Sequence, residues 1–127
     1  MVEGNASVFK VNVSDRPEFL AGDHTRLREV LHPAKHSLKL GYSLAHGILG
    51  PGQRSKRHVL DSSEVYYFLA GQGRFTIDDE VMSVEPGTTL YVPPGGTQSL
   101  ENTGGRDIEF LCLVEPAWKA EDERILE

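Results

Sequence analysis

One histidine and one carboxylate, six residues apart, carry the first chemical signal in this chain of 127 residues. His58 follows a Pro-Gly turn and a basic stretch, and Glu64 heads a run of aromatic and β-branched residues that ends at Gly71. A carboxylate at the head of an apolar strand is unfavourable to bury unless something pairs with it. His58 and Glu64 therefore predict a shared pocket, which could transfer protons, bind a metal ion or hold an internal ion pair.

A second histidine belongs to an alternating stretch, residues 42–49. Side chains in a strand repeat every two residues, so Tyr42, Leu44, His46 and Ile48 share one face, whereas the other face carries serine, alanine and glycine. The larger apolar face is expected to point towards the core. This expectation places His46 among the inward-pointing groups, either as a hydrogen-bonded core histidine or as a ligand.

Bulk composition limits the function classes. The formal net charge is −6, whereas nucleic-acid binding usually requires a basic patch, so no nucleic-acid partner is expected. No apolar run approaches the roughly 18 residues that a membrane span needs, and no signal peptide is recognised at the N-terminus. The single cysteine, Cys112, excludes an intrachain disulfide and fits a small core residue. A cytoplasmic location is predicted.

The elements that must position these groups are short. Thirteen glycines and seven prolines divide the chain into segments typical of an all-β sandwich or barrel. The stretch 25–31 suits a short helix or an edge strand, and the abrupt stop at His32-Pro33 favours the strand. Strands are predicted at residues 8–13, 25–31, 42–49, 58–60, 64–69, 74–77, 81–84, 88–92, 98–102 and 108–114. One domain, 1–127, is expected, with an N-terminal arm at about 1–25 and an acidic tail at about 115–127, part of it a short helix.

Two stretches resemble the paired motifs of the cupin superfamily. The first family motif runs from a glycine through His-x-His and a glutamate to a second glycine, and Gly52, His58, Glu64 and Gly71 stand at its spacing. The second motif runs from a glycine through Pro-x-Gly and a histidine to an asparagine, and it is matched by Gly87, Pro93, Gly95 and Asn102. The resemblance implies a double-stranded β-helix (jelly-roll) barrel with short terminal segments.

The resemblance also implies a metal site, with two departures. Leu60 stands where the first motif has its second histidine, and Gln98 stands where the second motif has its histidine. The corresponding ligand set is His58, Glu64 and Gln98, with His46 as a replacement nitrogen. Such a mixed set suits a divalent ion such as Mn, Fe, Ni or Zn.

Three functions follow as hypotheses. The first is a metal-dependent enzyme of the oxygenase or isomerase type, with His58, Glu64 and Tyr66 as candidate catalytic residues, although Tyr66 also fits core packing. The second is a metal-free module that binds a sugar or an organic acid without catalysis. The third is metal-free isomerisation or epimerisation of a sugar phosphate, with His58 or Glu64 as the base. In the third, the phosphate would meet basic residues beside the pocket: Arg54, Lys56 and Arg57.

A second apolar face predicts a partner. Val65, Tyr67 and Leu69 alternate with the pocket side of their strand, and Leu111 and Leu113 do so on the last strand. Apolar residues on a face that would otherwise meet water indicate a covered surface, either a dimer interface or a face beneath a terminal segment. A homodimer that buries this face is therefore expected, besides a small-molecule ligand in the barrel.

Overall fold

The computed structural model describes residues 8–127, and two antiparallel sheets face each other across its interior. The first sheet has the strand order β1-β2-β3-β10-β5-β8 and the second has the order β11-β4-β9-β6-β7. The all-β prediction is confirmed. The strands are β1 (Phe19–Leu20), β2 (Arg26–Leu31), β3 (Ser43–Leu49), β4 (His58–Leu60), β5 (Ser63–Ala70), β6 (Gly73–Ile77), β7 (Glu80–Val84), β8 (Thr89–Val92), β9 (Thr97–Asn102), β10 (Ile108–Glu115) and β11 (Glu123–Ile125). One helical turn, α1 (Pro33–His36), and two 3-10 turns (Val13–Asp15 and Ala120–Asp122) complete the elements.

Four aromatic rings pack together in the core of the barrel. Tyr66 lies 4.9 Å from Phe75 and 5.3 Å from Phe110, measured between ring centroids, and Phe68 packs against all three. Edge-to-face and tilted contacts at these distances add to the stabilisation that burial provides. These rings therefore form a packed core, and two of them, Tyr66 and Phe110, also border the open space of the barrel.

The glycines of the two motifs adopt a backbone conformation that residues with a side chain rarely adopt. Gly52, Gly71, Gly87 and Gly95 all have positive φ, between 74° and 94°. Gly71 is restricted twice over, because a Cβ atom there would also lie 2.5 Å from the carbonyl oxygen of Asp107. The motif spacing thus records where the chain must turn between strands.

The prediction that His46 points into the barrel is wrong, although the strand itself is confirmed. On β3 the small residues face inward, and a Cβ on Gly47 would lie 2.2 Å from the ring of its register partner Phe110. His46 pairs in register with Leu111 and lies on the outer face, where its Nε2 is 3.6 Å from Glu109 Oε1. Phe110 and the cavity occupy the space beside Ser43, Ala45 and Gly47, so only small residues fit there, and the larger Leu44, His46 and Ile48 face outward.

The strand predicted at residues 8–13 is also wrong. Val8 and Phe9 are exposed, and a 3-10 turn begins at Val13. Alternation alone does not make a strand, since the backbone also needs a sheet edge to pair with. The arm instead joins the first sheet through β1, which pairs with β2.

The C-terminal tail forms a strand where a short helix was expected. After the 3-10 turn, β11 pairs antiparallel with β4, so that Ile125 lies opposite His58. Trp118 anchors the start of the tail to the barrel, because its carbonyl accepts a hydrogen bond from His32 Nε2 at 2.8 Å and its amide donates to Ser43 Oγ. The tail therefore belongs to the barrel wall beside His58.

Among residues 8–127, no helix has the length and hydropathy that crossing a bilayer requires. The cytoplasmic location and the domain boundaries stay predictions.

Candidate functional site

A cavity of about 410 Å³ opens between the two sheets, and Tyr66 and Phe110 of the aromatic cluster form part of its wall. Most of its wall is apolar, and a few polar groups converge on one side, which is the usual build of a small-molecule site. The apolar wall includes Leu27, Leu60, Phe110, Val114 and Trp118. The polar side includes Asp23, His58, Glu64, Tyr66 and Cys112.

His58 presents one ring nitrogen to this cavity. It begins β4, where it pairs with Gln98 on β9, and it is only 3% exposed. Its Nδ1 donates a hydrogen bond to the backbone carbonyl of Lys56 at 2.8 Å. A carbonyl only accepts, so a neutral His58 carries its proton on Nδ1 and its lone pair on Nε2.

Glu64 and Gln98, which the sequence analysis places in one site, are in direct contact. Gln98 Nε2 donates to Glu64 Oε1 at 2.7 Å, and Gln98 Oε1 accepts from the Tyr66 hydroxyl at 2.7 Å. Cys112 Sγ donates to the second oxygen of Glu64 at 2.7 Å. A buried chain of hydrogen bonds therefore runs from Tyr66 through Gln98 and Glu64 to Cys112.

Burial controls the proton equilibria of this chain. It raises the pKa of Glu64 because desolvation penalises the carboxylate, while hydrogen bonds from Cys112 and Gln98 and the charge of His58 partly offset this. Burial also raises the pKa of Tyr66 and of the Cys112 thiol well above their ordinary values, and the nearby Glu64 carboxylate adds to both shifts. Glu64 is thus the member of the chain that can exchange a proton at the lowest pH.

Asp23 is a site residue that the sequence reasoning missed. Its Oδ1 accepts from the backbone and the hydroxyl of Thr25, at 3.1 and 2.7 Å, and its Oδ2 lies 3.6 Å from His58 Nε2. The Asp23–Thr25 spacing signals a local turn and nothing more. The backbone bond from Lys56 N to Asp23 O, at 2.8 Å, brings this turn to His58, and that pairing is not visible in the sequence.

Asn102, the last residue of the second motif, is a framework residue. Its amide nitrogen donates to the carbonyls of Leu49 and Arg106, both at 2.8 Å, and its Oδ1 accepts from Gly104 N. All of its polar side-chain atoms are therefore used in holding the 102–106 loop against the end of β3.

The basic residues expected beside the pocket lie elsewhere. Arg54 makes two hydrogen bonds of 2.8 Å to the carboxylate of Glu127. Arg57 donates its backbone amide to the same carboxylate, and its guanidinium forms an ion pair with it. Neither arginine lines the cavity, and Lys56 does not line it either. The cation at the rim is Lys35, which binds Glu29 at 2.5 Å.

The donor set does not fit a resident metal ion. Within residues 8–127, no three histidine, cysteine, aspartate or glutamate side chains converge closely enough to hold one. Leu60 contributes an apolar wall, and the amide oxygen of Gln98 is directed at the hydroxyl of Tyr66. His46, the replacement nitrogen, lies on the opposite face of its sheet. Of the expected ligands, only His58 and Glu64 keep donors at the cavity.

Comparison with known proteins places the chain among small β-barrels. A family model described as "Cupin domain" matches residues 45–114. The uncharacterized protein MJ1618 of Methanocaldococcus jannaschii is 33% identical over 121 residues, which cover 94% of this chain and 96% of that protein. A glucose-6-phosphate isomerase of Thermococcus litoralis is 30% identical over 116 residues, which cover 87% of this chain and 56% of that protein.

The structural comparison agrees on the fold. The polyketide cyclase RemF from Streptomyces resistomycificus superposes with a TM-score of 0.78 at 16% identity, over 94% of this chain and 86% of that one. Identity at this level shows the fold alone. The expectation of a jelly-roll barrel is confirmed.

Proposed function

The chain belongs to the cupin domain family, and we propose that its barrel binds a small organic molecule and transfers a proton to or from it without a resident metal ion. This is chemistry of the isomerase type. His58 acts as the proton acceptor, and Glu64 acts as a buried acid whose pKa is raised by desolvation.

The orientation of His58 carries the proposal. Its Nδ1 proton is held by the Lys56 carbonyl, so the basic Nε2 faces the cavity. A general base must reach the proton that it removes and must offer a lone pair, and Nε2 offers one because Nδ1 is already used. Asp23 Oδ2 lies 3.6 Å from this nitrogen, so a carboxylate oxygen faces the atom that would accept the proton.

Glu64 supplies the complementary acid. The hydrogen bonds from Gln98 and Cys112 fix the plane of its carboxyl group at the cavity wall. A histidine and a carboxyl group with opposed environments can donate and accept at two points of one ligand, as proton shuttling between carbons requires. Tyr66 positions Gln98 and thereby Glu64, and its own high pKa keeps it protonated.

One relative of this chain is itself an isomerase by name. The Thermococcus litoralis glucose-6-phosphate isomerase shares 30% identity with this chain, which spans 56% of that protein's length. We propose the reaction type from this relative and from the His58–Glu64 pair, and not its substrate. Oxygenase chemistry has less support here, because the donor set for a metal is incomplete among residues 8–127.

Elemental analysis tests the proposal. The protein is purified without chelators, and Mn, Fe, Ni and Zn are measured per chain for the wild type and for His58→Ala. We expect far less than one ion per chain in both, because one imidazole and one carboxyl group form too small a ligand set. A stoichiometric ion that disappears in His58→Ala would establish a metal centre and overturn the proposal.

Diethyl pyrocarbonate, which acylates neutral imidazole, checks the basic nitrogen separately. We expect mass spectrometry to find modification of His58 through the cavity, besides modification of the exposed His24. The Glu64→Gln variant should change the pH dependence at His58 and leave His24 unaffected. Reaction at His24 with none at His58 would remove the accessible base on which the mechanism depends.

The outer face of the first sheet supports the expected homodimer, which we propose as the assembly. Tyr67 and Leu69 on β5 are 42% and 40% exposed, and they border the half-buried leucines of β10. Contiguous apolar surface of this kind marks a protein interface. The face consists of Leu44, Ile48, Val65, Tyr67, Leu69, Leu111 and Leu113, with the imidazole of His46 between Leu44 and Ile48.

Replacing Leu113 with glutamate is expected to convert the dimer into a monomer, because a carboxylate would be buried in an apolar interface. Sedimentation velocity at high micromolar concentration measures the change. Val81→Glu is the matched control, since Val81 is an exposed residue of the second sheet. A wild-type protein that sediments as a monomer would refute the dimer.

A further inference from the structure

The polar side chains that line the cavity are largely bound to one another. Glu29 forms an ion pair with Lys35, and Glu123 accepts a hydrogen bond from Trp118 Nε1 at 3.1 Å. Both oxygens of Glu64 accept hydrogen bonds from neighbouring side chains. A ligand rich in hydroxyl groups would leave several of its own donors unpaired in such a cavity, and unpaired buried polar groups are unfavourable.

Residues 8–127 place no free cation at the cavity. Lys35 is the lysine of the lining and is paired with Glu29, and no arginine of the described chain belongs to the lining. His58 must be neutral to act as the base. A carboxylate or phosphate loses its hydration on entering a largely apolar cavity, and it needs a counter-charge in return. An anionic ligand is therefore disfavoured.

Trp118 offers the cavity a ring whose polar atoms are already used. Its Nε1 donates to Glu123, its amide donates to Ser43 Oγ, and its carbonyl accepts from His32 Nε2. The ring also packs against the buried core. An indole held at these points is a rigid apolar surface, which favours a ring-shaped ligand over a flexible chain because less freedom is lost on binding.

From these contacts we infer that the ligand is an uncharged, mainly apolar ring compound that carries a ketone, and that Trp118 selects it. The inference deepens the proposed function and rests on it. An imidazole is a modest base, so the C–H bond that His58 breaks must be acidified by a neighbouring carbonyl group. The apolar body of the ligand lies against the wall that Trp118, Leu27 and Leu60 help to form.

The proton transfer balances between the two acid–base groups. The C–H bond next to the carbonyl breaks, its proton passes to His58 Nε2, and its electron pair forms the C=C bond of an enol. The carbonyl oxygen takes the proton of Glu64, so an imidazolium and a carboxylate remain beside a neutral enol. Return of both protons restores the ketone and the two side chains.

Three compounds of similar size test the ligand class: α-tetralone as the uncharged ketone, tetralin carboxylate as the anion on the same ring frame, and sorbitol as the uncharged polyol. Their dissociation constants are measured by calorimetry with the full chain near neutral pH. We expect the ketone to bind at least about tenfold more tightly than the carboxylate, and sorbitol not to bind at millimolar concentration. Trp118 is the single tryptophan of the chain, so the bound ketone should change its fluorescence.

Variants of Trp118 test its role in selection. Trp118→Ala should weaken ketone binding by at least about tenfold, and Trp118→Phe, which keeps an aromatic wall, should restore most of it. Phe9→Ala is the matched control, because Phe9 is an exposed aromatic residue outside the cavity, and it should leave all three affinities unchanged. The order of the three wild-type affinities depends on no variant, so it tests the ligand class even if Trp118→Ala does not fold.

Deuterium exchange separates this inference from the proposed function. α-Tetralone is incubated with the protein in heavy water, and mass spectrometry measures deuterium next to the carbonyl, with His58→Ala as the background. Binding without exchange above this background would support an uncharged apolar ligand and remove the proton-transfer function together with the ketone. Tightest binding of the carboxylate or of sorbitol, no binding of the ketone, or unchanged ketone binding in a folded Trp118→Ala would overturn the inference. The metal-free proposal would survive these results, because elemental analysis and acylation of His58 test it separately.

Discussion

Replacement of both Leu60 and Gln98 by histidine is expected to create a metal centre in a barrel that we propose to hold no resident divalent ion. Leu60 lies two residues after His58 on β4, and both side chains line the cavity. Gln98 lies opposite His58 in register and touches Glu64. The two new imidazoles would join His58 and Glu64 to make four converging donors, the set that the family motifs contain.

The expected gain in affinity is large. Partners outside the ligand shell already change metal affinity by about 10–100-fold, so two added ligands should contribute at least about 100-fold. Titration with Mn²⁺ and Co²⁺, followed by magnetic resonance and visible absorption, measures the effect. The loss of two bonds, from Gln98 to Tyr66 and to Glu64, will reduce stability by about 1–3 kcal/mol for each buried group left unpaired.

Single variants separate the contributions. Leu60→His alone supplies three donors and should bind more weakly than the double variant, and addition of His58→Ala to the double variant should weaken binding again. If the wild type binds Mn²⁺ as tightly as the double variant, then Leu60 and Gln98 do not prevent metal binding. The metal-free proposal would then be wrong.

The glycine turns and the buried pair of Glu64 and Gln98 were predictable, because each depends on residue type and on spacing along the chain. Gly71 marks its turn through the positive φ that glycine tolerates, and Glu64 marks the cavity because a carboxylate at the head of an apolar strand needs a partner. Motif spacing then placed Gln98 beside Glu64, and the contact at 2.7 Å agrees. These features are carried by residue type and by separation along the chain.

The orientation of His46 and the role of Asp23 were not predictable in this way. Both faces of β3 are buried or half-buried, so the alternation of residue types did not indicate which face points inward. The ring of Phe110, on the neighbouring strand β10, leaves room only for small residues on the inner face. Asp23 reaches the cavity through a backbone hydrogen bond to Lys56, a contact between segments 33 residues apart. Such pairings depend on the closed barrel, and single-strand patterns do not contain them.

The stability of the protein is expected to fall as the pH rises above about 4.5, and Glu64→Gln should remove most of this dependence. Burial raises the pKa of Glu64 in the folded state above its ordinary value of 4.5. Below that value both the folded and the unfolded states hold the proton, so the contribution is fully present. As the pH rises, Glu64 ionises first in the unfolded state, and this ionisation lowers the free energy of the unfolded state relative to the folded state until the pH passes the folded-state pKa.

The slope measures how strongly the barrel opposes the charge. In this window each pH unit removes up to about 1.4 kcal/mol of the free energy of unfolding, whereas the amide of the Glu64→Gln variant has no proton to lose. Urea denaturation between about pH 4.5 and 8 compares the wild type with the variant, and the difference cancels groups that titrate alike in both. Glu80→Gln, at an exposed carboxylate of β7, should run parallel to the wild type. If Glu64→Gln also runs parallel, then Glu64 is ionised at the cavity wall and cannot serve as the acid, so the proton-transfer role would pass to His58 alone.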